Sequence, residues 1–409
     1  RKFNEATNEN PGEHFTPREV INLMVNVLLV YDAERLQQPG IVQKIYDPCC
    51  GTGGMLTAAR DEIERLNPNA HVYLYGQEVN PETYAVCKSD LLMKSATGSD
   101  AENVLYGSTL SNPRHRGDHF NYILANPPYG KDWNQDLAAV SQEAERGYAG
   151  RFGAGTPRKS DGQLLFLQHM ISHMYQRREG GSRIAIVLNG SPLFTGDAGS
   201  GESEIRRWIL EKDWLDTIIA LPEQLFYNTG IATYVWILTN NKPPERQGYV
   251  QLINATDLWV PMRKSLGDKR REISHKQIEE IRAIYAAFDP DNPRNKIFPS
   301  THFGYRKITV ERPLRLNFHK DRADRLWEQT AFQSLAISKK RKDSPEKAAE
   351  EAAGYELQQS IFVMLDTLPD ELYLSRSDFL KDLKAASRHH DIKLTGTLEK
   401  AIIAALSEA

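Results

Sequence analysis

"IYDPCCGTGGML", residues 45–56, sets the fold: an apolar run ends on an acid, a turn carries three glycines, and a helical pattern follows. Asp47 closes the strand, and Gly51, Gly53 and Gly54 occupy the turn that enters "GMLTAARDEIERL". Glycine accepts positive φ and, lacking Cβ, lets a ligand approach the backbone at the carboxyl edge of a sheet. A small-molecule pocket is expected there, with Asp47 and Gly51 in its wall. It is not the phosphate loop of nucleotide hydrolases, because Met55 and Leu56 stand where Lys and Ser or Thr would follow the glycine, and it is not a complete GxGxxG. The next strand ends in "YGQEVNP", placing Glu78 about two dozen residues beyond the turn, roughly where a carboxylate meets ribose hydroxyls. Both features suit a nucleoside-containing ligand with no required pyrophosphate, and S-adenosylmethionine is of that kind. The plainer reading is a tight turn followed by an exposed Glu that caps the next helix.

Outward from this turn, residues 41 to 239 alternate short β-branched or aromatic runs with helical patterns, the mark of crossover-connected, mostly parallel strands buried on both faces. The strand candidates are 41–47, 71–77, 103–107, 120–126, 183–189, 214–221 and 232–239. "PEQLFYNTGI" joins the last two with no obvious helix, which leaves that pair open to antiparallel pairing. Ahead of the first strand, "GEHFTPREVINLMVNVLLVY" reads as a helix starting at Pro17, with Thr16 as N-cap and Glu19 as capping-box acid. Residues 130–161, rich in Gly, Arg and Lys, make an unusually long connection of the kind that serves as a lid or stays disordered. After Pro243 come a strand "GYVQLINA", a basic turn "MRKSLGDKRRE" and a helix "SHKQIEEIRAIYAAF". The division expected is a catalytic domain over 1–242, its continuation over 243–319, and a charged helical extension over 320–409 with a mobile hinge at "SKKRKDSPEK".

Composition narrows the classes. The chain has 409 residues, 40% apolar and 26% charged, enough for two or three domains with a substantial core. Its longest apolar stretch, residues 20–31, is too short to span a bilayer and contains Asn22 and Asn26, so no membrane partner is expected. The chain opens at Arg1 with no signal-like leader, which reads as a trimmed start. Three cysteines without CxxC spacing indicate neither disulfides nor zinc, no metal site is expected, and a reducing cytoplasm fits. A net charge of −3 lacks the basic excess of a protein that grips nucleic acid unaided.

Residues 120–129, "FNYILANPPY", end a buried strand on an amide, two prolines and a phenol. The exocyclic amine of adenine is a poor nucleophile because its lone pair is delocalised into the ring. Two acceptors aimed at its protons, the Asn126 side-chain oxygen and the Pro127 carbonyl, draw that nitrogen toward tetrahedral geometry. Pro127 and Pro128 lack N–H groups and fix φ, and a residue before proline is held extended, so the acceptors lie in a preset arc. This is preorganisation for charge that develops in the transition state. Tyr129 offers an aromatic face to an unstacked base, which must leave the duplex to be reached. The chemistry calls for alignment, with no metal or general base. The bland alternative is a Pro-Pro terminator with a packing tyrosine.

With these residues in place, the chain resembles the amino-group DNA methyltransferases, and among them the modification subunit of type I restriction-modification systems. The resemblance rests on "GEHFTPREV", "DPCCGTGG", "GQEVNP", "NPPYG", "DGQLLFLQHM", "RIAIVLNGSPLF", "LPEQLFYNTGIATYVWIL" and "RPLRLNF", in the family's order across roughly residues 10 to 320. It implies an α/β fold: a Rossmann-like S-adenosylmethionine-dependent methyltransferase sheet of about seven mostly parallel strands, with a helical C-terminal extension. It also implies methylation of adenine at its 6-amino group. Cofactor contacts carry over to Glu13, His14, Phe15, Thr16, Pro17 and Arg18, to Thr52, Gly53 and Gly54, and to Glu78, with Asn126 also facing the cofactor; the catalytic set is Asn126, Pro127, Pro128 and Tyr129. The partners implied are DNA, a specificity subunit, a second copy of the chain and a restriction or translocase subunit. Two departures stand out. "GSTL" places Ser108 where the family commonly has an acid, and the helical domain that precedes "GEHFTP" is nearly absent, as in a truncation or a shorter relative.

His169 and His173 lie four apart, but Met170 occupies the position of a zinc protease's Glu, so they read as ordinary helix histidines. Cys49 and Cys50 read as small packing residues, and the basic runs 268–272 and 338–342 as charged surface or phosphate contacts in equal measure. Competing readings are a methyltransferase acting on RNA or protein glutamine, and a cofactor-binding scaffold without turnover.

Overall fold

Alternate residues of the central strands serve different cores. On β1 (Val42–Asp47), Ile45 packs into one apolar cluster and Tyr46 into the other. The same alternation continues along β2 (His71–Glu78), β4 (Tyr122–Ala125), where Tyr122 and Leu124 face one core and Ile123 and Ala125 the other, and β5 (Arg183–Asn189), while the edge strand β3 (Val104–Tyr106) buries only Val104. Burial on both faces is what parallel crossover strands require. Helices Arg18–Leu29, Gly54–Leu66 and His275–Ala287 contribute to the first cluster, and Gln163–Ser172 and Gly201–Glu211 to the second. The computed structural model describes residues 15–94, 98–227, 229–308, 316–340 and 344–408.

The further strands up to Pro299 are β6 (Leu215–Ala220), β7 (Thr233–Thr239), β8 (Tyr249–Asn254), a separate hairpin β9 (Val260–Leu266) and β10 (Lys269–Glu272), and β11 (Asn295–Pro299). The sheet has nine strands in the order β11-β8-β6-β7-β5-β4-β1-β2-β3, where about seven were expected. The two extra members, β8 and β11, come from the chain after Pro243. β3, β2, β1, β4 and β5 run parallel. β7 enters between β5 and β6 and is antiparallel to both, because the described residues among 221–232 form no helix to carry a crossover. Strand order reverses between β1 and β4, which makes the carboxyl ends of these neighbours the switch point where α/β sheets bind ligands.

Several local expectations change. The first helix starts at Arg18, with Pro17 at the cap position; its carbonyl accepts from Ile21 N at 3.0 Å. Thr16 makes no capping bond, and Glu19 pairs instead with Lys269 of the hairpin, so the capping box does not form. The Gln163 helix stops at Ser172, because His173 leaves helical geometry. Residues 130–161 fold into a packed segment carrying helix Leu137–Ala144 around buried Trp133, Val140 and Phe152. Its glycines allow close packing: a Cβ at Gly150 would lie 2.2 Å from Glu143 O, and one at Gly153 2.3 Å from Gly147. Arg151 anchors the segment, donating from Nε to Glu143 Oε1 at 2.9 Å and from Nη2 to Oε2 at 2.6 Å, and to Thr109 O at 2.8 Å and Leu110 O at 2.7 Å. The expected basic turn is the β9–β10 hairpin, in which Lys269 is buried and Arg271 lies 4.1 Å over Trp259.

By contact density the chain divides into units Arg1–Lys307 and Ile308–Ala409. The second unit has its own apolar cluster, built from helices Pro345–Asp366, Arg376–His389 and Gly396–Leu406 with Phe318 stacked on Phe379. The hinge expected at 338–347 and the "RPLRLNF" block fall partly outside the described residues. Among the described residues, no helix is long and apolar enough to cross a membrane.

Candidate functional site

Three parallel neighbours end on polar groups at one edge: β1 on Asp47, β2 on Glu78, and β4 just before Asn126. Parallel pairing alone brings these positions together across 79 residues of sequence. The glycine turn follows β1. Gly51 and Gly53 have φ of +54° and +81°, values open to glycine without the strain a side chain would bring. Cys50 N donates to Gln77 O at 3.0 Å, and Gly53 N to Cys50 O at 2.8 Å, so the turn is laced to β2 and closed on itself.

Glu78 is only 9% exposed, and its carboxylate accepts three backbone N–H bonds: Gly51 at 2.9 Å on Oε2, Val79 and Asn80 at 2.8 Å on Oε1. It is therefore not the exposed capping residue of the plainer reading. Asn80 caps the Pro81–Lys94 helix, accepting from Glu82 N at 2.9 Å and Thr83 N at 3.0 Å. Asp47 is 2% exposed and accepts from Cys49 N at 3.0 Å. Burial raises its carboxyl to about 7, against the lowering effect of that bond, and the nearby Glu78 adds to the rise. A cationic ligand beside it would hold it ionised.

Asn126 is half-buried. Its Nδ2 donates to Thr16 Oγ1 at 3.0 Å, and its Oδ1 accepts from the Tyr129 hydroxyl. Tyr129 is 6% exposed, and its ring meets Phe226 edge-on, with centroids 6.1 Å apart at 82°. Burial raises its phenol well above the ordinary value. Pro127 is buried and Pro128 half-buried. The fold thus joins Thr16, the glycine turn and Asn126–Tyr129 in one corner, with Gly54 facing Ile21 of the first helix. Phe15 and Arg18 are exposed, Pro17 is buried, Thr52 and Gly54 lie on the open side of the turn, and Glu13 and His14 fall outside the described residues.

Three contributors escaped sequence reasoning. Phe226 reaches Tyr129 from the β6–β7 connection. Asp136 comes from the 130–161 segment, its Oδ1 accepting from Ser108 Oγ at 2.7 Å, so a carboxylate stands at the corner where "GSTL" lacks one. Arg151 ties that segment to Thr109, Leu110 and His169 Nδ1, the last at 2.9 Å. Only the Ser108 departure signalled any of this in advance. His169 is saturated by Arg151 and by Tyr46, whose hydroxyl lies 2.9 Å from Nε2, which leaves no lone pair for a metal. Two cavities of about 800 and 1200 Å³ lie elsewhere, and neither is lined by the glycine turn or by Asn126–Tyr129.

Residues 1–302, which carry this corner, match the N-6 DNA Methylase family model. The chain belongs to the N-6 DNA methylase family. It is 35% identical over 60% of its length to the type I restriction enzyme MjaVII methylase subunit of Methanocaldococcus jannaschii, covering 39% of that protein. With the type I restriction enzyme HindI methylase subunit of Haemophilus influenzae it shares 30% identity over 65% of its length and 54% of the relative's. It therefore spans about half or less of these relatives. A solved type I restriction-modification methyltransferase subunit from Streptococcus thermophilus superposes with a TM-score of 0.58 at 27% identity, over 71% of this chain and 57% of that one. A modification subunit of a putative type I restriction enzyme from Vibrio vulnificus shares the fold, with a TM-score of 0.53 at 21% identity, over 74% of this chain and 58% of that one. In this member of the N-6 DNA methylase family, Ser108 bonded to Asp136 lines the corner beside β3.

Proposed function

We propose that this chain is the methyl-transferring subunit of a type I restriction-modification complex, and that it methylates the 6-amino group of an adenine flipped out of DNA. The observation that carries the reading is the placement of Asn126–Tyr129 at the carboxyl end of β4, bonded to Thr16 and beside the glycine turn. The residues present fit S-adenosylmethionine: the glycines at 51, 53 and 54 let a ligand approach the turn's backbone, Glu78 at the end of β2 offers a carboxylate that ribose hydroxyls could meet, and the buried Asp47 carboxyl favours a positive neighbour. When bound, the cofactor supplies a methyl carbon activated by its sulfonium.

The chain's residues do the rest. Asn126 Oδ1 has a second lone pair beyond the one given to Tyr129, and with the Pro127 carbonyl it accepts hydrogen bonds from the two N–H groups of the incoming amine, freeing the nitrogen lone pair for in-line attack on the methyl carbon; the carbon–sulfur bond breaks as the carbon–nitrogen bond forms, and the methylated amine then releases one proton to water. Tyr129 is covered in this state, so stacking a base on it requires the ring to turn out from Phe226, releasing the Asn126 bond as the base arrives. Asp136 and Ser108 bound the side toward β3.

We assign target recognition to a separate specificity subunit, with a second copy of the chain and a restriction or translocase subunit completing the assembly in the cytoplasm. The relatives' names and the net charge of −3 support that division of labour. Residues 320–409 are the proposed docking region, while the entry of β8 and β11 into the sheet supports assigning 243–307 to the catalytic unit; the boundary falls earlier than the expected 319, because Phe318 packs on Phe379 of the second unit. The test is transfer of tritiated methyl to DNA with and without a specificity subunit. Labelled N6-methyladenine that depends on the partner is expected. Label on RNA or glutamine, or none with the partner present, overturns the reading.

A further inference from the structure

Thr16 has a hydroxyl that its own helix does not use. It sits at the helix entrance, where Ser and Thr ordinarily bond the first free N–H groups, yet no capping bond is made. The hydroxyl is instead 3.0 Å from Asn126 Nδ2, 110 residues away. Both partners precede a proline, Thr16 before Pro17 and Asn126 before Pro127, so both backbones are restricted to extended geometry. Thr16 is mounted on a rigid base: the Arg18–Leu29 helix buries Val20, Ile21, Leu23, Met24, Val27 and Leu28. Asn126 is mounted on β4, which is buried along its whole length.

An Asn amide left to itself turns easily about χ2, a broad and roughly two-fold torsion. Here two hydroxyls hold its edges, Thr16 at Nδ2 and Tyr129 at Oδ1. Because a hydroxyl can donate or accept, these bonds fix the plane of the amide. An incoming amine offers only donors through its N–H groups, so it selects the orientation with Oδ1 forward, and Nδ2 then needs an acceptor behind it. Thr16 Oγ1 is that acceptor. When Tyr129 turns out to meet a base, Thr16 remains the bond that stops the amide from rotating.

We infer that Thr16 is a positioning residue: its hydroxyl locks the Asn126 amide in the plane from which Oδ1 receives the substrate amine. The inference deepens the proposed reaction and rests on it for its kinetic part. It differs from the cofactor contact that the family resemblance implies for this position, because it acts on turnover through Asn126.

The test compares wild type, Thr16→Val and Thr16→Ser in the full chain with its specificity subunit. At saturating S-adenosylmethionine, Thr16→Val is expected to lower kcat about tenfold, the scale of one lost hydrogen bond, with cofactor Kd and DNA KM within about threefold. Thr16→Ser should restore kcat to within about threefold of wild type. A rise in cofactor Kd with unchanged kcat overturns the inference in favour of a cofactor contact. A fall in thermal stability with normal kcat per folded molecule overturns it in favour of a structural role. A second measurement does not depend on methyl transfer: hydrogen exchange of the Asn126 side-chain amide in asparagine-¹⁵N protein, assigned through Asn126→Ala. Thr16→Val should lose the protection that Thr16→Ser keeps, and equal exchange in all three proteins overturns the positioning role even if wild type proves inactive.

Discussion

Glu78→Gln isolates the bond between β2 and the glycine turn. Glutamine matches glutamate in shape but replaces one oxygen with an NH₂ group. If Oε1 keeps Val79 N and Asn80 N, the new amide nitrogen faces Gly51 N at the former 2.9 Å contact, donor against donor. Gly51 N then loses its acceptor, and leaving a half-buried donor unsatisfied costs about 1 to 3 kcal/mol. The two bonds that remain fall from charge-assisted to neutral strength, a further loss of about 1 kcal/mol. A total of about 2 to 4 kcal/mol should lower the thermal midpoint by several degrees. The turn would also loosen, and with the carboxylate gone S-adenosylmethionine should bind roughly tenfold to a hundredfold more weakly. Differential scanning calorimetry and titration calorimetry read the two effects. A midpoint within a degree of wild type, together with a cofactor Kd changed less than twofold, would show that Glu78 neither ties the turn nor meets the ligand.

Asn126→Ala should abolish methyl transfer in a single-turnover assay while cofactor Kd stays within about tenfold, since its loss is in the transition state; unchanged turnover refutes its role. Arg246 is fully buried and bonded to Asp216 at 2.7 Å, Gln251 at 2.7 Å and Thr217 at 2.8 Å, so Arg246→Met should cost about 3 to 5 kcal/mol in urea unfolding by stranding Asp216. Adding Asp216→Leu should cost less than the sum of the two single changes. Acid sensitivity has two opposed sources. Burial lowers His173 to about 4, so the unfolded chain takes up a proton the folded one refuses, and about 3 kcal/mol is lost as pH falls from about 6.5 toward 4. Asp47, raised to about 7, acts oppositely: the folded state takes the proton first, and about 4 kcal/mol is regained as pH falls from about 7 toward 4. Asp47→Asn should therefore make the stability of the protein fall more steeply between pH 7 and 4 in urea titrations, and equal slopes refute the assignment.

The parts legible in the sequence were those governed by near neighbours. The strand, turn and helix of residues 45–56 follow from apolar runs, glycines at positive φ and helical periodicity, all within a dozen residues. The stiffness of "NPPY" is likewise a local property of proline. Local rules also misled: "TPRE" has the letters of a capping box, but Glu19 is claimed by Lys269 and Thr16 by Asn126. The length of 130–161 and its Gly, Arg and Lys content suggested a lid or a disordered connection, whereas one half-buried Arg151 with several acceptors organises it.

From the sequence alone came the chemistry available at each strand end and the parallel, doubly covered character of the core, because side-chain identity and periodicity act over a few residues. Tertiary structure alone decided which groups meet: the Glu78 carboxylate with Gly51 N, Ser108 with Asp136, Thr16 with Asn126, and β7 antiparallel between β5 and β6. These pairings join positions 27 to 110 residues apart or depend on strand order, and they exist only once register and packing place one backbone beside another.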